Sequence, residues 1–251
     1  MLTINPSKTL PISVTKYCAL NCKHCGGVYI KRMIHISEME KYVKRYKSFL
    51  ISGGMGKEGI IPFKNYIEFL TRLKLKHDLL YNFHIGFPET PPYEIEEIAD
   101  VVSFDFFSDP EILNEIYGIK RTPEHIIKVV SSLKTKKVPH ITIGVLCGNI
   151  THEFNSIELL SKYFDTIVLN IFIPTKRTLY ENCNPPEIEI VAQVFKEAKK
   201  KFKTVILGCM HPHGTYREKL LELIKEDLSI FVNSSEKKPD FKGCCALYKK
   251  R

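Results

Sequence analysis

The sequence lacks a long apolar run. No apolar run approaches the ~18–20 residues that span a bilayer, and Met1 to Leu10 has no apolar centre of the kind a secretory signal needs. A cytoplasmic location is expected. There the eight cysteines should stay reduced and serve as metal ligands rather than crosslinks. No C-x2-C pair recurs at a distance, so a zinc knuckle built from His24 and three nearby thiols lacks its usual frame. No linker-like stretch breaks the sequence, and one domain over 1–232 with a tail over 233–251 is the expected organisation. The net charge is +9, yet the lysines are spread along helical segments and no RNA-binding signature is present, so nucleic acid is not an expected partner. An acidic protein partner and a plainly solvated lysine surface both fit that charge.

What is present is a regular alternation. Strand-like runs are expected at 10–15, 49–52, 81–86, 101–107, 141–147, 166–173, 205–207 and 228–232. Helical segments lie between them. One opens at Ser37 as an N-cap, and another at Thr122-Pro123-Glu124 with a proline in its first position. Eight β–α units imply right-handed crossovers and a parallel sheet, either a full eight-unit (β/α) barrel or an open six-unit one with the last strands appended. Barrel sites form at the carboxyl ends of the strands. The residues with chemistry to offer lie there: the cysteine loop, Gly53-Gly54, His84, Asp105, Cys147-Gly148, Pro174-Thr175 and Cys209.

The densest motif follows the first strand. Cys18, Cys22 and Cys25 are spaced C-x3-C-x2-C, with His24 inside the loop and Gly26-Gly27 after it. Three thiolates on one short loop can hold three corners of a 4Fe–4S cube and leave the fourth iron open, and an open coordination position marks a reactive metal. The motif resembles the signature of the radical S-adenosylmethionine (SAM) superfamily. That resemblance implies a SAM-chelating cluster on Cys18, Cys22 and Cys25 and reductive cleavage of SAM to a 5′-deoxyadenosyl radical. Ser52-Gly53-Gly54 resembles the superfamily's GGE edge, with Met55 in place of the glutamate. Gly144 to Gly148 resembles the fifth-strand motif beside the adenine. Pro174-Thr175 resembles the sixth-strand P-T-x-G-T segment, with Arg177 in place of its glycine. His84 and Asp105 are placed by strand position to reach the ribose or the SAM carboxylate, or to move a proton. No catalytic side chain is singled out.

The other cysteines divide. Cys147 reads as a small apolar residue in a strand, and Cys183 as a loop residue with no obvious partner. Cys244 and Cys245 are adjacent in a basic tail. If that tail folds back to the barrel mouth, they and Cys209 supply three thiolates, enough for an auxiliary 4Fe–4S cluster; a redox-active pair or a loose tail are the plainer readings.

Cys209 to Arg217, the terminal Cys-Cys-Ala-Leu, Ile51 to Gly54, Gly59 to Pro62 and Val138-Pro139-His140 together resemble the small radical SAM proteins of the two-protein, archaeal-type lipoyl synthase. His211 stands where arginine is expected. The second cysteine triplet that precedes the cluster motif in the single-chain enzyme is missing. The resemblance implies sulfur insertion into octanoyl chains of a lipoyl-carrier protein, namely a lipoyl domain or the glycine-cleavage H protein. It also implies a second radical SAM protein and an electron donor such as ferredoxin as partners. Two alternatives stand beside it. One is a radical SAM enzyme with another substrate, by biotin-synthase-like sulfur insertion or methylation. The other is a non-catalytic iron–sulfur electron-transfer or binding subunit.

Overall fold

The computed structural model describes residues 1–248. The last three residues of the expected tail segment, 249–251, lie outside the described residues. Eleven strands form one sheet, and every pairing in it is parallel. In chain order they are β1 (Leu2–Asn5), β2 (Thr9–Ser13), β3 (Ile34–His35), β4 (Ser48–Ser52), β5 (Leu80–Ile85), β6 (Val101–Asp105), β7 (Lys137–Ile143), β8 (Thr166–Ile171), β9 (Thr204–Leu207), β10 (Ile230–Val232) and β11 (Phe241–Lys242). The spatial order is β11-β1-β10-β9-β8-β7-β6-β5-β4-β2-β3. The sheet is therefore a partial α/β barrel. Its edge strands are β11 and β3; β1 and β2, next to them, are joined by a one-turn 3-10 helix, Pro6–Lys8, and not by a hydrogen-bond ladder.

The eight expected strands correspond to β2 and β4 to β10. Three short strands, β1, β3 and β11, are additions. β7 begins and ends earlier than expected because it carries Pro139 in its middle, a residue with no N–H for the ladder. It stops at Ile143 because Gly144 turns to φ +72 and donates its N–H to the buried Glu153 at 2.7 Å. The helix expected at Ser37 is a 3-10 helix over Ile36–Tyr42, and its cap is His35, whose Nδ1 faces Ser37 N.

Six α-helices cover the outer face: α1 (Ile67–His77), α2 (Pro110–Tyr117), α3 (Pro123–Ser131), α4 (Glu153–Leu160), α5 (Ile188–Lys201) and α6 (Thr215–Ile224). Asp109 caps α2 through Glu111 N and Ile112 N, and Thr122 caps α3 through His125 N. Side chains alternate across each strand. Val102 and Phe104 of β6, Ile141 and Ile143 of β7, and Ile167, Leu169 and Ile171 of β8 belong to the large core under the helices. Their neighbours Val101, Val138 and Val168 belong to a separate cluster with Ile4, Ile206, Ile230 and the tail residues Cys245, Ala246 and Leu247. That second cluster is the floor of the barrel interior, at the amino ends of the strands. Among the described residues no helix is long and apolar enough to cross a membrane.

The tail does fold back onto the barrel, but not to the mouth. β11 pairs with β1, and Lys136 Nζ, just before β7, donates to the carbonyls of Ala246 and Tyr248 at 3.1 and 3.4 Å. This corrects the expected position. The apolar Cys-Ala-Leu segment seeks the Val/Ile floor, whereas the mouth is polar.

Candidate active site

The cysteine loop is built by hydrogen bonds to the end of β4. Val14 N donates to Ser52 O (2.8 Å), Gly54 N to Thr15 Oγ1 (2.6 Å) and Ala19 N to Met55 O (2.9 Å). Inside the loop, Cys25 N and Gly26 N both turn back onto Cys22 O, at 3.1 and 2.8 Å. Gly26 and Gly27 leave at φ +49 and +70. Cys22 is buried, while Cys18 and Cys25 are partly exposed. The neighbouring Cys22 thiol, and then His24, hold Cys25 below an ordinary thiol, while Cys25 and burial hold Cys22 above it. Cys18 Sγ sits 3.7 Å from Met55 O. His24 places its ring edge-on to Tyr117 at 5.3 Å, and its buried Nδ1 has no partner.

The glycine pair serves this loop. A Cβ at Gly54 would overlap Tyr17 O at 2.0 Å and Cys18 Cα at 2.5 Å, and one at Gly53 would press on Val14 Cγ2 at 2.9 Å. The glycines are needed so that the cluster loop can lie against the edge of β4. Met55 offers its carbonyl to the loop and packs its thioether on Gly86. Ser52 Oγ donates to His84 O at 3.0 Å and ties β4 to β5.

His84 and Asp105 come together at the carboxyl ends of their strands, with Nε2 and Oδ1 3.7 Å apart. A third residue that the sequence reading did not single out joins them. His140 on β7 stacks 5.3 Å from His84, is buried, and leaves its Nδ1 unpartnered. Burial, and then the neighbouring His84, hold it well below the ordinary histidine value. In sequence it appears only within the Val138-Pro139-His140 motif, and its site role rests on an inward register position between outward-facing Pro139 and Ile141. Tyr117 is likewise new. Burial raises its phenol first, and the charges of Asp105, Cys22 and Cys25 add to that, so it links the acid to the cluster loop.

Thr175 is nine-tenths buried. Its hydroxyl lies 3.1 Å from Tyr29 Oη, on the exit of the cysteine loop. Arg177 keeps φ +66, so the backbone shape of the glycine it replaces is retained by a residue with a Cβ. Gly148 has φ +87, and a Cβ there would meet Asn184 O at 2.4 Å. Beside it lies a correction. Cys147 is not a free apolar thiol and Cys183 does have a partner, because the two are joined in a disulfide. The distance in sequence hid a pairing that the fold brings to a Cα separation of 5.2 Å. His211 is buried, and its Nδ1 pairs with Gly208 O at 2.8 Å, which fixes the turn after β9.

Cys209, Cys244 and Cys245 approach one another from opposite ends of the barrel interior. Cys209 follows β9 at the mouth end. Cys244 rises from the floor and accepts from Asn82 Nδ2 at 3.3 Å, and Asn82 is itself oriented by Ser103 Oγ at 2.9 Å. The Cys245 thiol and Asn82 hold Cys244 down to about 6. Cys209 has an open side yet is enclosed by protein, and burial with the Cys244 charge pushes it up to about 11. Among the described residues no three His, Cys, Asp or Glu side chains converge on a point for one metal ion. A cluster asks for something else, since each thiolate takes its own iron. The loop carries the three thiols within eight residues, two of them partly exposed.

No family model and no curated protein matches the chain. Among solved structures it resembles the crystal structure of methylornithine synthase (PylB), with a TM-score of 0.62 and 13% identity over 95% of this chain and 74% of that one. The chain shares that enzyme's fold. (S)-3-O-geranylgeranylglyceryl phosphate synthase from Thermoplasma acidophilum aligns over 94% of this chain and 87% of its own, at 14% identity and a TM-score of 0.40. That second likeness is too distant to argue from.

Proposed function

We propose that the protein is a radical SAM enzyme. One observation carries the reading: Cys18, Cys22 and Cys25 are gathered on a loop that is hydrogen-bonded to the Gly53-Gly54 edge, at the carboxyl end of a partial parallel barrel. The fold that the chain shares with methylornithine synthase, an enzyme, is a scaffold that suits this reading. Cys18, Cys22 and Cys25 would hold a 4Fe–4S cluster, which with SAM supplies a 5′-deoxyadenosyl radical. Ser52 to Gly54 would receive the SAM amino group, and Gly148, Pro174 and Thr175 would line the adenine side. His84 and Asp105 would meet the ribose or carboxylate. The protein's part is to orient and to exclude water and oxygen.

For the reaction itself we infer sulfur insertion into an octanoyl chain on a lipoyl-carrier protein, shared with a second radical SAM protein and fed by an electron donor such as ferredoxin. Cys209, Cys244 and Cys245 would hold the sulfur-donating auxiliary cluster, and their approach to one another supports this. The net charge of +9 suits an acidic carrier. A second reading keeps the radical chemistry and changes the substrate. Asn82, Ser103, His140 and Asn170 on the inner wall favour a polar molecule over an alkyl chain. Anaerobically reconstituted protein with dithionite should cleave SAM, and the absence of 5′-deoxyadenosine would end the enzyme reading. An octanoylated carrier peptide, offered with and without the partner protein, should gain sulfur by mass. SAM cleavage without that gain leaves the polar-substrate reading.

A further inference from the structure

The segment from 174 to 187 has no regular structure, yet it joins the two sides of the mouth. At one end it supports the cysteine loop: Tyr180 N donates to Lys23 O at 3.1 Å, Thr175 meets Tyr29, and Thr178 Cγ2 lies 3.5 Å from where a Gly26 Cβ would stand. At the other end it lies on the loop after β7. Pro186 fills the space that a Gly144 side chain would take, Asn184 O crowds Gly148, and Tyr216 Oη donates to Pro186 O at 2.7 Å. The covalent tie between the segment and the β7 loop is Cys147–Cys183. Both cysteines are partly exposed, so small thiols can reach them. Cys147 is held at φ +52, a conformation that persists in a non-glycine residue only where its surroundings impose it.

We propose that Cys147–Cys183 is a redox-sensitive latch: opening it frees the 174–187 strap and loosens the Cys18–Cys25 loop that the strap supports. The chemistry balances as thiol–disulfide exchange. Two small thiols, such as two molecules of glutathione, give up two electrons and two protons and leave joined by their own disulfide. The Cys147–Cys183 bond breaks, and each cysteine ends as a thiol. The latch concerns the strap and loop as protein segments, so it stands whether or not the loop carries a cluster.

The chain supplies its own reporters. Lys176 and Arg177 are exposed in the strap, and Lys23 lies in the cysteine loop. The full-length protein is oxidised with glutathione disulfide or reduced with glutathione, and the state is verified by counting alkylatable thiols in denaturant. Trypsin is then added briefly and the early fragments are identified by mass. The expected result is cleavage after Lys176 and Arg177 about tenfold faster in the reduced protein, a smaller rise after Lys23, and no change after Lys44, in the turn that follows the 3-10 helix Ile36–Tyr42. The variant Cys183→Ser should be cleaved at the fast rate in both buffers. Equal strap cleavage in the two states overturns the latch, and so does a full set of free thiols after oxidation. A faster strap with an unchanged Lys23 overturns its reach to the cysteine loop. Should Cys183→Ser fail to fold, reversal of the wild-type rate on reoxidation decides the same question.

Discussion

The two groups of thiols are held in opposite ways. Cys18, Cys22 and Cys25 sit on one continuous loop whose backbone is pinned to the end of β4. Cys209 and Cys244-Cys245 belong to segments that meet only because β11 pairs with β1 and the tail seats on the apolar floor. The first group is made by local backbone geometry and needs little of the barrel below it. The second is a product of tertiary packing, and Asn82 is its main polar support.

The largest test separates the two groups by metal. Changing Cys22 to Ala should abolish SAM cleavage, and Cys244→Ala should leave that cleavage in place while lowering iron and sulfide content. If both variants lose cleavage, the groups are not independent. The next effect is on stability. Leu247→Ala should cost about 2–4 kcal/mol in urea unfolding, because it opens the packed floor. It should speed alkylation of Cys209 while leaving Cys18 unchanged; equal acceleration at both sites would erase the contrast.

Acid should follow. His140, His152 and His211 are all held low by burial. As the pH falls through about 6.5, the unfolded chain takes up protons that the folded chain refuses. Stability is therefore full above that pH and declines below it, by up to about 1.4 kcal/mol per pH unit for each such histidine. Urea midpoints at pH 7 and 5.5 should show the fall, and His140→Gln should flatten it. The smallest effect is local to the strap over 174–187. Arg177→Gly should stabilise by at most about 1 kcal/mol, since glycine accepts a positive φ without strain.

The barrel was legible because strand-like apolar runs alternate with helical segments along the chain, and strands covered on both faces give such continuous apolar runs. Its margins were not. β1, β3 and β11 are too short to leave a pattern, and Pro139 masked the true start of β7. The cysteine loop was legible because its ligands are neighbours in sequence. The contacts of His140 and the disulfide depend on chain segments far apart, and no spacing announces them. The glycine pair was legible as a close approach, but the partner in that approach is the cysteine loop's own backbone.

The floor plug also makes the seat of one sulfur depend on distant contacts. Cys244 reaches Asn82 on the inner wall while β11 stays paired with β1 and Leu247 stays packed on the valine and isoleucine floor. Whatever loosens that seat withdraws Cys244 from the wall as well.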